Sequence, residues 1–205
     1  MIVMTDSVER SNKNELRKRQ IIEAAVSVLK AKGVAASSMN DFIKASGLSK
    51  GGVYHHFASK EELLIGVLNY FFEQHVSDLD NANAQNKSAY EKMHQLLTEH
   101  QEMLERVGDL NQLMMDFFSH ASNIQAIKEQ YYFQYCHFQD HFATIVKEGV
   151  ENGEFKEGID PRVISSGIIG IFEGIGRSYT VAPDRVDFPA YAVECSLVLI
   201  EGIRA

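Results

Sequence analysis

Apolar residues recur three and four positions apart along most of this chain, the spacing of one face of a helix. The first stripe begins near Leu16 and contains Ile21, Ile22, Ala25, Val28 and Leu29, and Gly33 ends it. A second, short helix follows, with Ser37 or Ser38 as its cap and Met39, Phe42 and Ile43 turned inward. Gly47 closes that helix, and Ser49 is placed to cap a third over "KGGVYHHF". Two short helices joined by so brief a glycine-containing turn describe a helix-turn-helix, and the first helix supplies the rest of a three-helix core. Ser59 and Glu62 then read as a capping box opening a long helix through Leu63, Leu64, Val67, Leu68 and Phe71.

After the polar break "DLDNANAQNKS", helical patterns resume over Tyr90 to Leu104, Leu110 to Phe118 and Ile124 to Val150. The last two span Val163 to Tyr179 and Phe188 to Ile203. No strand-like alternation persists. The expected fold is all-α, with roughly nine helices: an N-terminal three-helix helix-turn-helix domain followed by a larger helical ligand-binding and dimerisation domain. The expected boundaries are a loose arm over 1–15, the helix-turn-helix over 16–60 and the larger domain over 61–205.

Charge sharpens this division. The chain carries 20 Lys and Arg against 28 Asp and Glu, a formal net charge of -8. Residues 1–60 nevertheless hold ten basic against five acidic residues, and the remainder holds ten against twenty-three. A basic module suits a polyanion, and an acidic body resists being coated by it. The alternative is a solvated charged face. The two cysteines, Cys136 and Cys195, lie in apolar helical surroundings without a CxxC partner, so two buried free thiols are expected. No apolar run reaches transmembrane length and no signal-peptide core opens the chain, so a cytoplasmic protein with no membrane partner is expected.

The stretch "KASGLSKGGVYHHFASKEEL" carries the most chemistry. Gly51 and Gly52 are poor helix formers, yet they remove side chains that could hold the backbone away from a phosphate or base edge. Lys50 sits beside the free N–H groups of a helix start, which favour a phosphate. Tyr54, His55 and His56 can donate to phosphate oxygens, Lys60 can clamp the flanking DNA backbone, and Phe57 belongs to the core. A major groove admits one such helix. With "SSMNDFIKASGLSKGGVYHHFASKEEL" the chain resembles the TetR family of bacterial transcriptional regulators. Gly47, Ser49, Gly51, Tyr54, His56, Phe57, Lys60, Glu61 and Leu63 match the family pattern, and Ser37–Ser38 keeps the hydroxyls of its usual threonine pair. The resemblance implies DNA contacts by Ser38, Lys50, Gly51, Tyr54, His55, His56 and Lys60.

Residues 90–180 are rich in methionine and aromatic side chains, which suit either a small-molecule pocket or plain core packing. The resemblance implies an effector bound among these helices, apolar or aromatic in character, whose binding releases DNA. The candidates are Met93, Met114, Phe117, Tyr131, Tyr135, Phe138 and Phe172, with Asp116 as a carboxylate in the apolar context "LMMDFF". Glu173 sits in a similar context, and Arg177 four residues on is its expected partner. His137 and His141 have zinc-ligand spacing but no third ligand in the pattern, and they read equally as surface residues. Ser166, Gly170 and Gly174 make a small-residue face, and Val193, Leu197 and Ile200 a packing stripe. The resemblance assigns both of these helices to a homodimer interface.

No nucleophile elbow, phosphate loop or HExxH spacing is present, so no catalytic residue, metal or cofactor is expected. The expected function is a ligand-responsive transcriptional repressor that binds double-stranded operator DNA as a homodimer. An activator of the same architecture is the alternative, with an enzyme or a ligand-binding protein without DNA activity further behind.

Overall fold

A computed structural model describes residues 3–83, 87–107, 113, 116, 117, 119 and 124–205. Eight helices are named among them: α1 (Val3–Ala36), α2 (Met39–Ser46), α3 (Lys50–His56), α4 (Lys60–Asn83), α5 (Ala89–Val107), α6 (Gln125–Glu151), α7 (Pro161–Val181) and α8 (Phe188–Gly202). Residues 113, 116, 117 and 119 are also helical. The chain divides into two compact units. The first joins residues up to 71 with 116–128, and the second joins 72–115 with 129–205.

Two boundaries differ from expectation. Helix α1 starts at Val3, so the described part of the expected loose arm is helical. Its segment lacks Pro and Gly, the residues that interrupt a helix, so α1 can extend through it. The helix proper ends where expected. Gly33 has φ 76° and ψ 169°, a backbone state essentially restricted to glycine, and it kinks the chain into a last turn at Ala36. The second difference is the return of residues 116–128 to the N-terminal unit.

The first unit is built around Ile21, Ile22, Ala25, Leu29, Phe42, Val53, Phe57, Leu63, Leu64, Val67 and Leu68, all buried. The expected caps form. Ser38 and Asp41 make a reciprocal capping box on α2, and Gly47 closes that helix in the left-handed region. The Ser49 hydroxyl accepts from Gly52 N–H at 3.1 Å to start α3. At α4 the Ser59 hydroxyl accepts from Glu62 N–H at 3.1 Å, but the Glu62 carboxylate reaches Ala58 N–H, at 2.6 Å, instead of the cap residue itself.

The second unit buries Ala89, Met93, Leu96, Leu97, Phe142, Ile145, Val146, Phe155, Ile168, Val193, Ile200 and Ile203 in one cluster. Polar contacts tie its elements together. The Glu154 carboxylate accepts from Ala89 and Tyr90 N–H, both at 3.1 Å, and so caps α5 from the loop after α6. The buried Lys92 ammonium donates to both Glu148 carboxylate oxygens, at 2.7 and 2.8 Å. Asp160 and Asp187 cap α7 and α8. Cys195 is exposed and Cys136 half-buried, both as free thiols, so the expectation of two buried thiols fails at Cys195 and is met only in part at Cys136. Among the described residues no helix is long and apolar enough to cross a membrane.

Candidate nucleic-acid interface

Helix α3 presents two faces. Val53 is fully buried, and Phe57, just past the helix end, is buried too, with its N–H donating to Val53 carbonyl at 3.0 Å. These two residues hold the helix on its own unit. Lys50, Gly51, Tyr54 and His55 are exposed on the other face. The Lys50 ammonium lies 5.7 Å from the centroid of the Tyr54 ring, near enough for a cation–π contact. The His55 and His56 rings meet edge-on with centroids 5.2 Å apart.

His56 is half-buried, and burial holds its pKa below the usual imidazole value, helped by His55, Arg17 and Lys18 and opposed by Glu15. Burial thus favours the neutral imidazole, which donates from one ring nitrogen only. The same neighbours place Arg17 and Lys18 of α1 beside α3, extending its positive field. Arg19 is committed elsewhere, to Glu23 at 2.9 Å and over the Tyr70 ring.

The two glycines separate by role. A Cβ on Gly52 would lie 3.3 Å from the Ser49 hydroxyl, a tight contact with its own cap. A Cβ on Gly51 would meet nothing within 4 Å, so the fold itself does not require glycine there. Gly51→Ala is expected to stabilise the free protein by about 0.5–1 kcal/mol through helix propensity. It is also expected to weaken DNA binding, because the added methyl stands on the exposed face of α3. Chemical denaturation and fluorescence anisotropy on a cognate duplex read the two effects separately.

Ser38 and Lys60 have structural duties. The Ser38 hydroxyl donates to Asp41 Oδ2 at 2.7 Å, and Lys32 pairs with Asp41 Oδ1 at 2.5 Å. The bond from Lys32, followed by that from Ser38, pulls the Asp41 carboxyl down to a pKa of about 2. The Lys60 ammonium donates to the carbonyls of Val34 and Ser37, both at 2.6 Å. Burial lowers its pKa, while Asp116 and Asp41 favour its charge. Lys60 thus points into the corner between α1 and α2, which redirects the role expected for it as a backbone clamp.

Asp116 closes the same corner. Its carboxylate accepts from Val34 N–H, and a Cβ at Gly33 would come within 3.1 Å of Asp116 Oδ2. Phe117 beside it is almost wholly buried and falls in the same unit. Both were expected at an effector site, and both instead belong with the helix-turn-helix. A carboxylate in apolar sequence needs a donor, and here the donor is a backbone N–H 82 residues away, which no local pattern announces.

The remaining pocket candidates lie in the second unit, except Met114, which is outside the described residues. Met93 is fully buried core. Tyr131, Tyr135, Phe138 and Phe172 are half-buried. The Tyr131 hydroxyl donates to Glu173, and burial and this bond push the phenol pKa up. No ion pair joins Glu173 to Arg177 among the described residues, so tyrosine replaces the expected arginine as its partner. Tyr135 hydroxyl and Gln139 Nε2 both reach the Ser166 hydroxyl, at 3.2 and 2.8 Å. The His137 and His141 rings lie 4.8 Å apart, and among the described residues no group of three or more His, Cys, Asp and Glu could hold a metal.

The dimer candidates split. Gly170 and Gly174 are exposed, with open space where a Cβ would stand. Ser166 is turned toward Tyr135 and Gln139. Val193 and Ile200 are only 3% and 0% exposed within a single chain and Leu197 packs against the same cluster, so that stripe is core. The outward face of α8 is rotated by half a turn and carries Tyr191, Cys195 and Val198, the last 72% exposed. Sequence spacing identified an apolar stripe but not which of two apolar faces its own chain covers.

Fold and surface are those of a helix-turn-helix transcriptional regulator. Residues 21–67 match the model for bacterial regulatory proteins of the tetR family, and residues 69–202 match that for the C-terminal region of YsiA-like proteins. The chain belongs to the TetR family. Among curated proteins it is 29% identical over 154 residues to the HTH-type transcriptional regulator YfiR of Bacillus subtilis, covering 75% of this chain and 74% of that one. It is 24% identical over 185 residues to the fatty acid metabolism regulator protein of the same organism, covering 90% and 94%. The crystal structure of the transcriptional regulator FadR from Bacillus subtilis in complex with stearoyl-CoA superposes with a TM-score of 0.79 at 24% identity, over 91% of this chain and 99% of that one.

Proposed function

We propose that this protein is a repressor that holds operator DNA through α3 as a homodimer and releases it when a long-chain acyl-CoA binds its C-terminal unit. The observation that carries the DNA half is the exposed face of α3, with Lys50, Gly51, Tyr54 and His55 outward and Val53 anchored inward. His56, Arg17 and Lys18 add donors and charge at its edge. A helix N-terminus with a lysine and open glycine backbone suits phosphate, and tyrosine and histidine add neutral donors.

The dimer follows from the DNA. An operator with two half-sites needs two recognition helices about one helical turn apart. The outward face of α7 and α8, with Val163, Gly170, Gly174, Val181, Tyr191 and Val198, offers an apolar surface for a second copy. The acyl-CoA class is suggested by the likeness to the fatty acid metabolism regulator along nearly the whole chain, and by the stearoyl-CoA bound in the similar FadR structure. The partly buried aromatic side chains of α6 and α7 suit such a ligand. Release is then a population shift: the effector binds more tightly to a form whose recognition helices are mis-spaced for DNA.

The test is a fluorescence anisotropy titration on duplexes recovered by unbiased DNA selection. Stearoyl-CoA is expected to lower DNA affinity at least tenfold, and CoA alone to leave it unchanged. Failure to bind any selected duplex, or indifference to stearoyl-CoA, rejects the corresponding half of the proposal.

A further inference from the structure

Helix α6 buries polar groups that its own fold does not satisfy. Gln134 is only 7% exposed, and its Oε1 has no hydrogen-bond partner. His137, one turn further on the same face, has a buried Nε2 that is likewise unpartnered. Nearly all buried polar atoms in folded proteins find a partner, so two on consecutive turns call for a missing one. The neighbouring face of the same helix behaves normally, since Tyr131, Tyr135 and Gln139 all reach partners on α7. The unpaired row is therefore a local feature of α6.

We infer that Gln134 and His137 read the thioester and adjacent amide of the bound acyl-CoA, an assignment that rests on the acyl-CoA reading above. The chemistry of the row selects the ligand class. An unpaired amide oxygen needs a donor, and an imidazole N–H can donate to a carbonyl. The pantetheine arm supplies an amide N–H for the first, and the thioester carbonyl accepts from the second. A bare alkyl chain satisfies neither. Residues 131–142 contain no Lys or Arg, so a free carboxylate would find no cation on this stretch of the helix. A site built to pair with polar groups rejects analogues that lack them. The row thus selects an acyl thioester over the free fatty acid.

The variants Gln134→Met and His137→Phe keep side-chain volume and remove the polar atoms. Calorimetric titration of the full chain with stearoyl-CoA and with stearate, plus the melting temperature of the ligand-free protein, tests the assignment. Each variant is expected to bind stearoyl-CoA roughly tenfold more weakly, to lose preference over stearate, and to melt at or above the wild-type temperature. Unchanged stearoyl-CoA affinity in both variants overturns the inference while leaving acyl-CoA as the effector. A clear fall in ligand-free melting temperature in both also overturns it, because the row would then be structural. A wild-type protein that ignores stearoyl-CoA removes the effector class itself, and this assignment with it.

Discussion

Gly66→Ala is expected to destabilise the DNA-binding unit by about 1–3 kcal/mol, and to lower its melting temperature by roughly 4–8 °C for each kcal/mol. Gly66 lies in the first half of α4, where alanine would ordinarily gain up to about 1 kcal/mol of helix propensity. Packing decides against it. A Cβ there would stand 2.7 Å from Cε1 of Phe57 and 3.2 Å from its Cζ. Phe57 is 3% exposed and sits at the end of α3, so the ring has little room to retreat. Displacing it tilts the recognition helix, and DNA affinity is expected to fall with stability. Gly51→Ala should move the two in opposite directions. A Gly66→Ala protein that melts at the wild-type temperature would show that the Phe57 ring can move aside at no cost.

Lys60→Met and Asp116→Ala are expected to open the corner between α1 and α2. Lys60→Met leaves the carbonyls of Val34 and Ser37, both buried residues, without their ammonium donor. The expected loss is about 2–3 kcal/mol, with allowance for the half-exposed lysine. Asp116→Ala frees Val34 N–H, for about 1–2 kcal/mol. The two residues also interact directly through their charges, so the double variant should lose less than the sum. Urea denaturation of the four proteins measures this coupling, and strict additivity would falsify the shared corner. DNA affinity should fall with each single variant, since the corner positions α2 and through it α3. Stearoyl-CoA affinity should hardly change, because neither residue belongs to the unit that contains α7 and residues 129–151 of α6.

What could be read beforehand was local. The stretch from Lys44 to Leu63 contains its own turn, caps and hydrophobic anchor, all within a few residues of one another. The long-range pairings were not legible. Asp116 finds its donor 82 residues away, and Glu173 finds Tyr131 across 42 instead of Arg177 one turn on. The sidedness of α8 was hidden for a different reason. Both of its faces are apolar, and only the packing of the unit decides that Val193 and Ile200 go inward and Val198 outward. Gly66 carried a weak signal, a glycine inside a helical pattern, whose meaning required knowing that Phe57 lies above it. The polar row of α6 was visible only as a histidine pair at metal spacing. Burial without a partner is what changed its reading.

The inward turn of Lys60 has a thermodynamic consequence outside the fold. Each phosphate neutralised by a lysine releases condensed counterions, and each contributes roughly 0.9 to the slope of log affinity against log salt. A side chain held at 2.6 Å to two carbonyls is withdrawn from that tally. Two protomers on an operator would therefore show a slope shallower by roughly 1.8 than if both lysines met the DNA backbone. The protein should retain its operator better as ionic strength rises, with more of its hold coming from neutral donors such as Tyr54 and His56.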